Sequence, residues 1–518
     1  MNKQVKPLKV SIQTFGCQMN QYDTEVAEGM LEKAGYEIVQ EFDGEEKSSA
    51  DPANMSSPKV LIGDPKAGFP IKEFGNDRKT RTRKNWRELD ADVVLLNTCS
   101  VREHAEDRVF GRLGMLGKEK KTNPNLIVGL MGCMVEEHRE KLFKRFPQLD
   151  LMVGTRNIKE LPDLVEEVRR NRQQVARIKQ DGISIEYTEQ IKRQGKFHAW
   201  LPIMTGCNKV CTFCIVPITR GSEVSMPARE VYREASRLVE EGVKWITLLG
   251  QNVNSYNGCH SRGPHKEGGS VLWRKGGDPS DLDSRLRGND KKIVFPDLLE
   301  MLCEIPGLER ISFTTSHPHD ATEELFQVIA RNPKISRRFH LPLQSGSDRI
   351  LKRMKRLHTF QEYREKIKRL RELVPDIAIT TDIIAGFSGE TEDDHQSTVR
   401  ALEEIRCAGA YIYKYSLRPA TPASKLPDDV PLEVKEKRNA ELLAVQKRIA
   451  REINARWIGK TVEVFVEEMD SKNSAQVLGR TDAEKKVAFP GEAALIGGFH
   501  QVKLETLRNE TFLGTPSP

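Results

Sequence analysis

The chain has 518 residues, 38% of them hydrophobic and 30% charged, with a formal net charge of +7. Such a length suits roughly two to four domains; no run approaches the roughly 18 apolar residues of a membrane span, and Met1–Val10 lacks the apolar core of a secretory signal. Nine cysteines in so long a chain do not make a disulfide scaffold, so metal ligation or burial is expected of them, in a cytoplasmic protein without a membrane partner.

The first 150 residues repeat one unit. Lys9–Phe15 (KVSIQTF) reads as a strand and Tyr22–Ala34 as the helix after it. Ala91–Asn97 (ADVVLLN) precedes a helix from about Arg102 to Lys121, and Asn125–Met131 (NLIVGLM) precedes helical Glu136–Phe146, with Leu151–Val153 as a fourth strand. Strands alternating with helices predict a parallel α/β sheet. Each of the three clear strands runs into a cysteine: TFGC at Cys17, LNTC at Cys99 and LMGC at Cys133. Open parallel sheets bind ligands beyond the carboxyl ends of their strands, so these thiols are expected to converge on one metal site. A buried-thiol reading accounts for any one of them, less well for three at equivalent positions.

A second α/β array follows, with strands at His198–Met204, Lys244–Leu249, Arg310–Thr315, Arg337–Leu343, Ile377–Ile384 and Ala410–Ser416, and helices such as Ala228–Glu241 and Phe360–Leu373 between them. Six β/α units with mostly apolar strands predict a partial (β/α)6 barrel whose site opens at the carboxyl ends of the strands. Directly after its first strand stands MTGCNKVCTFC, with Cys207, Cys211 and Cys214 spaced x3 and x2. Three thiolates leave one iron of a four-iron cluster without a protein ligand, and an open iron can bind S-adenosylmethionine (SAM), which an electron then splits to a carbon radical. Zinc is the main rival, but structural zinc takes four ligands and no fourth Cys or His follows closely after Cys214.

An amphipathic helix, Leu442 to Trp457, leads to short β-like runs at Thr461–Val466, Lys486–Phe489 and Gln501–Leu504, read as a small β-barrel. Residues 456–518 hold eight Lys/Arg and nine Asp/Glu, so any RNA binding there comes from local arrangement. Residues 331–371 hold 14 Lys/Arg, among them Arg337, Arg338, Lys352, Arg353, Lys355 and Arg356, against Asp348, Glu362 and Glu365. That stretch suits either a phosphate backbone or solvated helix faces. Residues 43–88 and 258–292 interrupt the pattern with polar, Gly-containing sequence ending near GNDRK (Gly75–Lys79) and GNDKK (Gly288–Lys292). They read as insertions of related origin without chemistry of their own, which removes Cys259 from the ligand set.

TFGCQMN (Thr14–Asn20), NTCSVRE (Asn97–Glu103), GCM (Gly132–Met134), TGCNKVCTFCIVPITRG (Thr205–Gly221), LLGQNVNSY (Leu248–Tyr256), TTSHP (Thr314–Pro318) and LPLQSGSDRILKRMKR (Leu341–Arg356) together resemble the methylthiotransferase family of the radical-SAM superfamily. CQMN and NTCSVREHAEDRVF resemble its MiaB-type branch most, and the end of the chain resembles the TRAM RNA-binding module. The resemblance implies a methylthiotransferase N-terminal domain over 8–170, a radical-SAM core over 193–440 and a TRAM-like domain over 456–518. It implies two [4Fe-4S] clusters, one on Cys207, Cys211 and Cys214 that SAM coordinates, the other on Cys17, Cys99 and Cys133 that takes part in supplying sulfur. SAM then serves as radical source and methyl donor. The implied substrate is N(6)-dimethylallyladenosine at position 37 of tRNA, methylthiolated at carbon 2, with an electron donor and a sulfur source as further partners and a monomer as the acting form. The alternative is a sister enzyme acting on threonylcarbamoyladenosine in tRNA or on a ribosomal-protein aspartate; CQMN speaks against both.

Lesser features are weighed against the same resemblance. Gly386 and Gly389, in DIIAGFSGET, suit either a SAM contact or a tight turn, and Ser388 stands where the superfamily has Pro. Gln251 and Asn252 are pocket candidates, His317 and His319 are expected to orient a loop, and Cys303 and Cys407 to fill buried space. YSLRPATPA (Tyr415–Ala423) departs from the family's Pro-Gly version of that loop.

Overall fold

A computed structural model describes residues 6–39, 91–100, 103–178, 191–193, 195–258 and 292–517. The first segment read as an insertion and Cys259 lie outside the described residues, as does the second segment but for Gly258 and Lys292.

The N-terminal part forms a six-stranded parallel sheet. Its strands are β1 (Lys9–Phe15), β2 (Glu37–Ile38), β3 (Val93–Thr98), β4 (Ile127–Gly132), β5 (Leu151–Val153) and β6 (Val175–Arg177), in the order β2-β1-β3-β4-β5-β6. Helices cover both faces, which is why β3 and β4 are apolar almost throughout. Val93 and Leu95 join a core with Val26, Leu31 and Leu164, whereas Val94 and Leu96 join another with Val109, Leu113 and Leu116. Two expectations change. The helix read over Glu136–Phe146 is two short helices, Cys133–His138 and Lys141–Arg145, because Arg139 takes φ 48° between them. The edge strands β2 and β6 are not evident from sequence, since Glu37–Ile38 is too short for a pattern and Val175–Arg177 (VAR) lies among polar and charged residues, unlike the apolar Leu151–Val153.

Six more parallel strands follow: His198–Pro202, Trp245–Leu249, Arg310–Phe313, Arg338–His340, Ala378–Ala385 and Gly409–Lys414. The first three form one ladder and the last three another, joined where Ile311 bridges in parallel to Ile335. Strand order follows chain order and, among the described residues, the first and last strands do not pair. This is the expected partial barrel. The helix over Leu432–Ala455, which starts after Pro431 and well before the expected Leu442, lies along the last strand. Its Asn439 donates to the Ile412 carbonyl at 3.2 Å, and Leu442 and Ile449 enter the barrel core.

The chain ends in a closed five-stranded barrel built by Thr461–Met469, Gln476–Thr481, Lys486–Pro490, Phe499–Arg508 and Thr511–Pro516. Two of these strands escaped the sequence reading, as each carries a glycine inside a short run (Gly479, Gly514). Valines 464, 466, 477, 487 and 502 fill the interior with Phe489, Leu504 and Phe512. This module docks against the amino ends of the larger barrel's strands. Arg310, the first residue of its strand, stacks over Trp245 and Phe499 (5.2 and 4.7 Å to the ring centroids) and donates to Glu463 at 3.0 Å. Ser336 donates to the Asp482 carbonyl at 2.6 Å, and Arg338 pairs with Glu484.

The second insertion leaves and re-enters through one hairpin, Asn257 pairing with Val294 and Gly258 with Ile293 in antiparallel register. A short turn can therefore replace it. A chain lacking residues 260–290 should keep its activity and lose or gain no more than about 2 kcal/mol of stability, since each halving of loop length changes closure entropy by only about 0.6 kcal/mol. Thermal melting and product analysis check this; loss of activity in a folded, iron-loaded deletion would give the segment a role.

Candidate active site

Register places the first three thiols. Phe15 of β1 pairs with Thr98 of β3, and Thr98 with Gly132 of β4. Cys17, Cys99 and Cys133 therefore stand just past the carboxyl ends of three neighbouring strands. A pair of buried asparagines underlies them. Asn20 Nδ2 donates to Asn97 Oδ1 and to the Thr98 carbonyl, both at 3.1 Å, while Asn97 Nδ2 donates to the Asn20 carbonyl at 2.8 Å. Asn20 Oδ1 also accepts from the Cys17 thiol at 3.4 Å. Both asparagines lie in the motifs quoted above, yet the sequence reading gave them no role. A hydrogen bond with Cys99, reinforced by the charge of Arg220, brings Cys17 down to about 6, whereas burial holds Cys133 above the usual thiol range. The downward shift favours the thiolate of Cys17, the ligand form.

The barrel reaches this site through two buried arginines. Arg220 Nη2 donates to Asp23 Oδ2 at 2.6 Å, with 7% and 8% of the two side chains exposed. Arg418, in the loop after the last barrel strand, donates to Glu106 Oε2 at 2.5 Å, and Glu106 also meets His138 at 3.3 Å. This pair anchors the loop whose sequence departs from the family's version.

Cys207, Cys211 and Cys214 follow the first barrel strand. Gly206, at φ 74°, lets the chain turn there; a Cβ would lie 2.0 Å from the Ser222 carbonyl oxygen. Backbone bonds hold the loop from three sides: Cys207 N–H to the Gly221 carbonyl (3.1 Å), Thr212 N–H to that of Met354 (3.0 Å), and Ala423 N–H to that of Thr212 (2.8 Å). Arg356 Nη1 donates to Cys211 Sγ at 3.4 Å. Phe213 meets Phe387 edge-on at 6.4 Å, so the loop rests on the turn after the fifth strand. Burial pushes Cys214 up to about 12 and raises Cys207; such thiols would release their protons only as a metal centre took up the thiolates. The remaining described cysteines stand elsewhere in the chain: Cys407, ahead of the last barrel strand, is buried as expected, while Cys303, at the end of helix Phe295–Cys303, is only half-buried against the barrel core.

The barrel mouth beside this loop is polar and under-satisfied. Asn252 Nδ2 donates to Asp320 Oδ2 at 2.6 Å, and Lys209, inside the cysteine loop, donates to the other Asp320 oxygen at 2.8 Å. Gln251 Oε1, Asn252 Oδ1, Ser316 Oγ and His317 Nε2 are buried without a hydrogen-bond partner among the described residues. Unmet buried polar atoms cost about 1–3 kcal/mol each, so this set fits a polar ligand such as SAM. His317 Nδ1 accepts the His319 N–H at 3.2 Å and so orients its loop. Burial, aided by Arg356, keeps His317 (about 2) and His358 (about 3) neutral. Thr315 and Gln344, each just past a strand end, hold φ of 69° and 76°, the strained backbone that collects at sites.

Gly386 and Gly389 shape the turn after the fifth strand with φ of 74° and 75°. Their amides go to Glu390 Oε1 (2.9 Å) and Asp429 Oδ1 (2.6 Å). Ser388 is buried and donates to the Pro427 carbonyl at 2.7 Å while accepting from Arg353 at 3.2 Å. Part of the basic stretch at 331–371 is used inside the protein, Arg338 on Glu484, Arg353 on Ser388 and Arg356 on Cys211, whereas Arg364–Glu404 and Arg369–Glu323 are exposed surface pairs and Lys352, Lys355 and Lys368 face solvent.

Comparison with known proteins follows the same division. Residues 201–402 match the radical SAM superfamily, residues 9–49 and 77–154 the uncharacterized protein family UPF0004, and residues 455–515 the TRAM domain. The UPF0004 match omits residues 50–76, within the first segment read as an insertion. A tRNA-2-methylthio-N(6)-dimethylallyladenosine synthase of Symbiobacterium thermophilum is 39% identical over 96% of this chain and 92% of its own. The protein of the same name from Dictyoglomus thermophilum is 38% identical over 96% of both. Among solved structures, a radical S-adenosylmethionine methyltransferase of Kitasatospora setae aligns at 13% identity over 80% of this chain and 77% of that one, with a TM-score of 0.47, too loose a likeness to bear on the chemistry.

Proposed function

The chain belongs to the tRNA-2-methylthio-N(6)-dimethylallyladenosine synthases of the radical SAM superfamily, and from that membership we propose how its residues divide the reaction. It methylthiolates carbon 2 of N(6)-dimethylallyladenosine at position 37 of tRNA, using an iron–sulfur cluster and SAM. Carbon 2 bears an unactivated C–H bond that ordinary acid–base side chains cannot break. Cys207, Cys211 and Cys214 hold the cluster that SAM coordinates, and Cys17, Cys99 and Cys133 hold a second. When bound, the first cluster supplies the electron that cleaves SAM, and the second takes part in supplying sulfur.

The chain's own groups do the placing. Arg356 fixes Cys211 from inside the barrel. Gln251 and Asn252 receive SAM, which the unmet polar atoms of the mouth support; Gly386 and Gly389, their amides bonded to Glu390 and Asp429, would contribute through the shape of their turn. His317 and His358, neutral through burial, serve as hydrogen-bonding groups rather than acids. The C-terminal barrel, over 456–518, contributes RNA binding beside the sulfur-handling domain (8–170) and the radical core (193–440). An electron donor and a sulfur source complete the set, the acting form is a monomer, and the cytoplasm, where tRNA resides, is its place; no described helix is long and apolar enough to cross a membrane.

The near-full-length match to named synthases carries this reading. Nucleoside analysis of tRNA tests it: cells lacking the gene should accumulate N(6)-dimethylallyladenosine and regain its 2-methylthio form when this chain is restored. Altered threonylcarbamoyladenosine, or an unmodified ribosomal-protein aspartate, with the dimethylallyl nucleoside unaffected, would point to the sister activities instead.

A further inference from the structure

Arg220 stands at the junction of the two cysteine trios. It ends the four-residue helix Val216–Thr219, shortly after Cys214, and its neighbour Gly221 accepts the Cys207 N–H at 3.1 Å. Its backbone is therefore tied to the radical-SAM loop. Its side chain leaves the barrel and enters the other domain, where it meets Asp23, on the helix that begins beside Cys17. A cavity of about 60 Å³ opens along the same seam, lined in part by Met19, Tyr22, Asp23, Thr205 and Arg220.

A buried ion pair of this kind contributes little net stability, because desolvation offsets the attraction. The surroundings give the charge another use. The short helix that Arg220 ends packs against the helix that begins at Cys133, and Asp23 lies on the helix that begins beside Cys17, so the buried guanidinium faces that trio's side of the seam. We propose that Arg220 is a positioning residue shared by the two sites: braced on the Cys207 loop, it presents its charge to the cluster held by Cys17, Cys99 and Cys133 and sets that cluster's reduction potential. This rests on the reading that those three thiols hold a cluster. Reduction adds negative charge to the cluster. A buried cation beside it stabilises the reduced form and raises the potential, and a buried carboxylate opposes it. Arg220 and Asp23 thus act with opposite signs.

That sign difference is the test. The parent is the full-length chain carrying Cys207→Ala, Cys211→Ala and Cys214→Ala, loaded anaerobically and followed by a redox titration of its paramagnetic signal. It should retain about four iron atoms; a parent without iron would refute the cluster reading itself, not the role of Arg220. On this parent, Arg220→Met should move the midpoint to more negative potential, Asp23→Asn to more positive potential, and Arg220→Lys should stay near the parent. In the chain with all six thiols, Arg220→Met should lower methylthiolation at least about tenfold, the scale of a lost outer-shell contact. If Arg220→Met sheds its iron, the upward shift in Asp23→Asn and the retained potential in Arg220→Lys decide. Unmoved potentials, shifts of the same sign, or iron loss in Arg220→Lys as well would make Arg220 a scaffold residue and overturn the proposal.

Discussion

A Cys211→Ala protein should release no 5′-deoxyadenosine from SAM above background. Cys211 is buried, and its Sγ accepts from Arg356, so the thiolate has a fixed place that no other described cysteine can take. The loop itself should survive, because Thr212 holds it to Met354 and Ala423 through backbone bonds that alanine at 211 leaves intact. What goes is one of three thiolates, and with it the cluster or its single open iron. Anaerobic reconstitution, an iron count and chromatography of the SAM products make the measurement. Cleavage at the normal rate would remove the radical-SAM assignment of this trio.

A Cys99→Ala change should separate the two halves of the reaction. Cys99 is 1% exposed and hydrogen-bonded to Cys17 at the carboxyl edge of the sheet. Its loss should lower bound iron by about four atoms per chain and stop methylthiolation, while SAM is still cleaved to 5′-deoxyadenosine in the barrel. Both readouts are needed. Full methylthiolation would refute a sulfur-supplying cluster on this sheet. Loss of SAM cleavage as well would mean that the sheet props the barrel site, through Arg220–Asp23 and Arg418–Glu106.

The sequence made some of this legible and hid the rest for identifiable reasons. Strands such as β3 and β4 advertise themselves because burial on both faces demands unbroken apolar runs, and a cysteine at the end of each is a local pattern. The partial barrel was readable for the same reason. Arg220 and Asp23 are 197 positions apart, and no periodicity links residues that meet only when two domains close. The asparagines under the first trio could have been found: Asn20 and Asn97 stand in the cysteine motifs, and a buried amide beside a ligand usually locks something. Formal charge alone also does not show that Arg338 of the basic stretch turns inward to Glu484 while Lys352 and Lys355 stay in solvent.

The docking of the terminal barrel on the rim opposite the mouth has a consequence for selection among RNAs. Strands of five residues rising about 3.3 Å each set the two ends of the larger barrel roughly 15 Å apart before any loop is added. With RNA gripped at that rim, as proposed, the reactive adenosine has to span this distance to reach the mouth. A free nucleoside spans nothing and would be held at one end alone. Two grips joined by a limb of matching reach would multiply into one tighter than either.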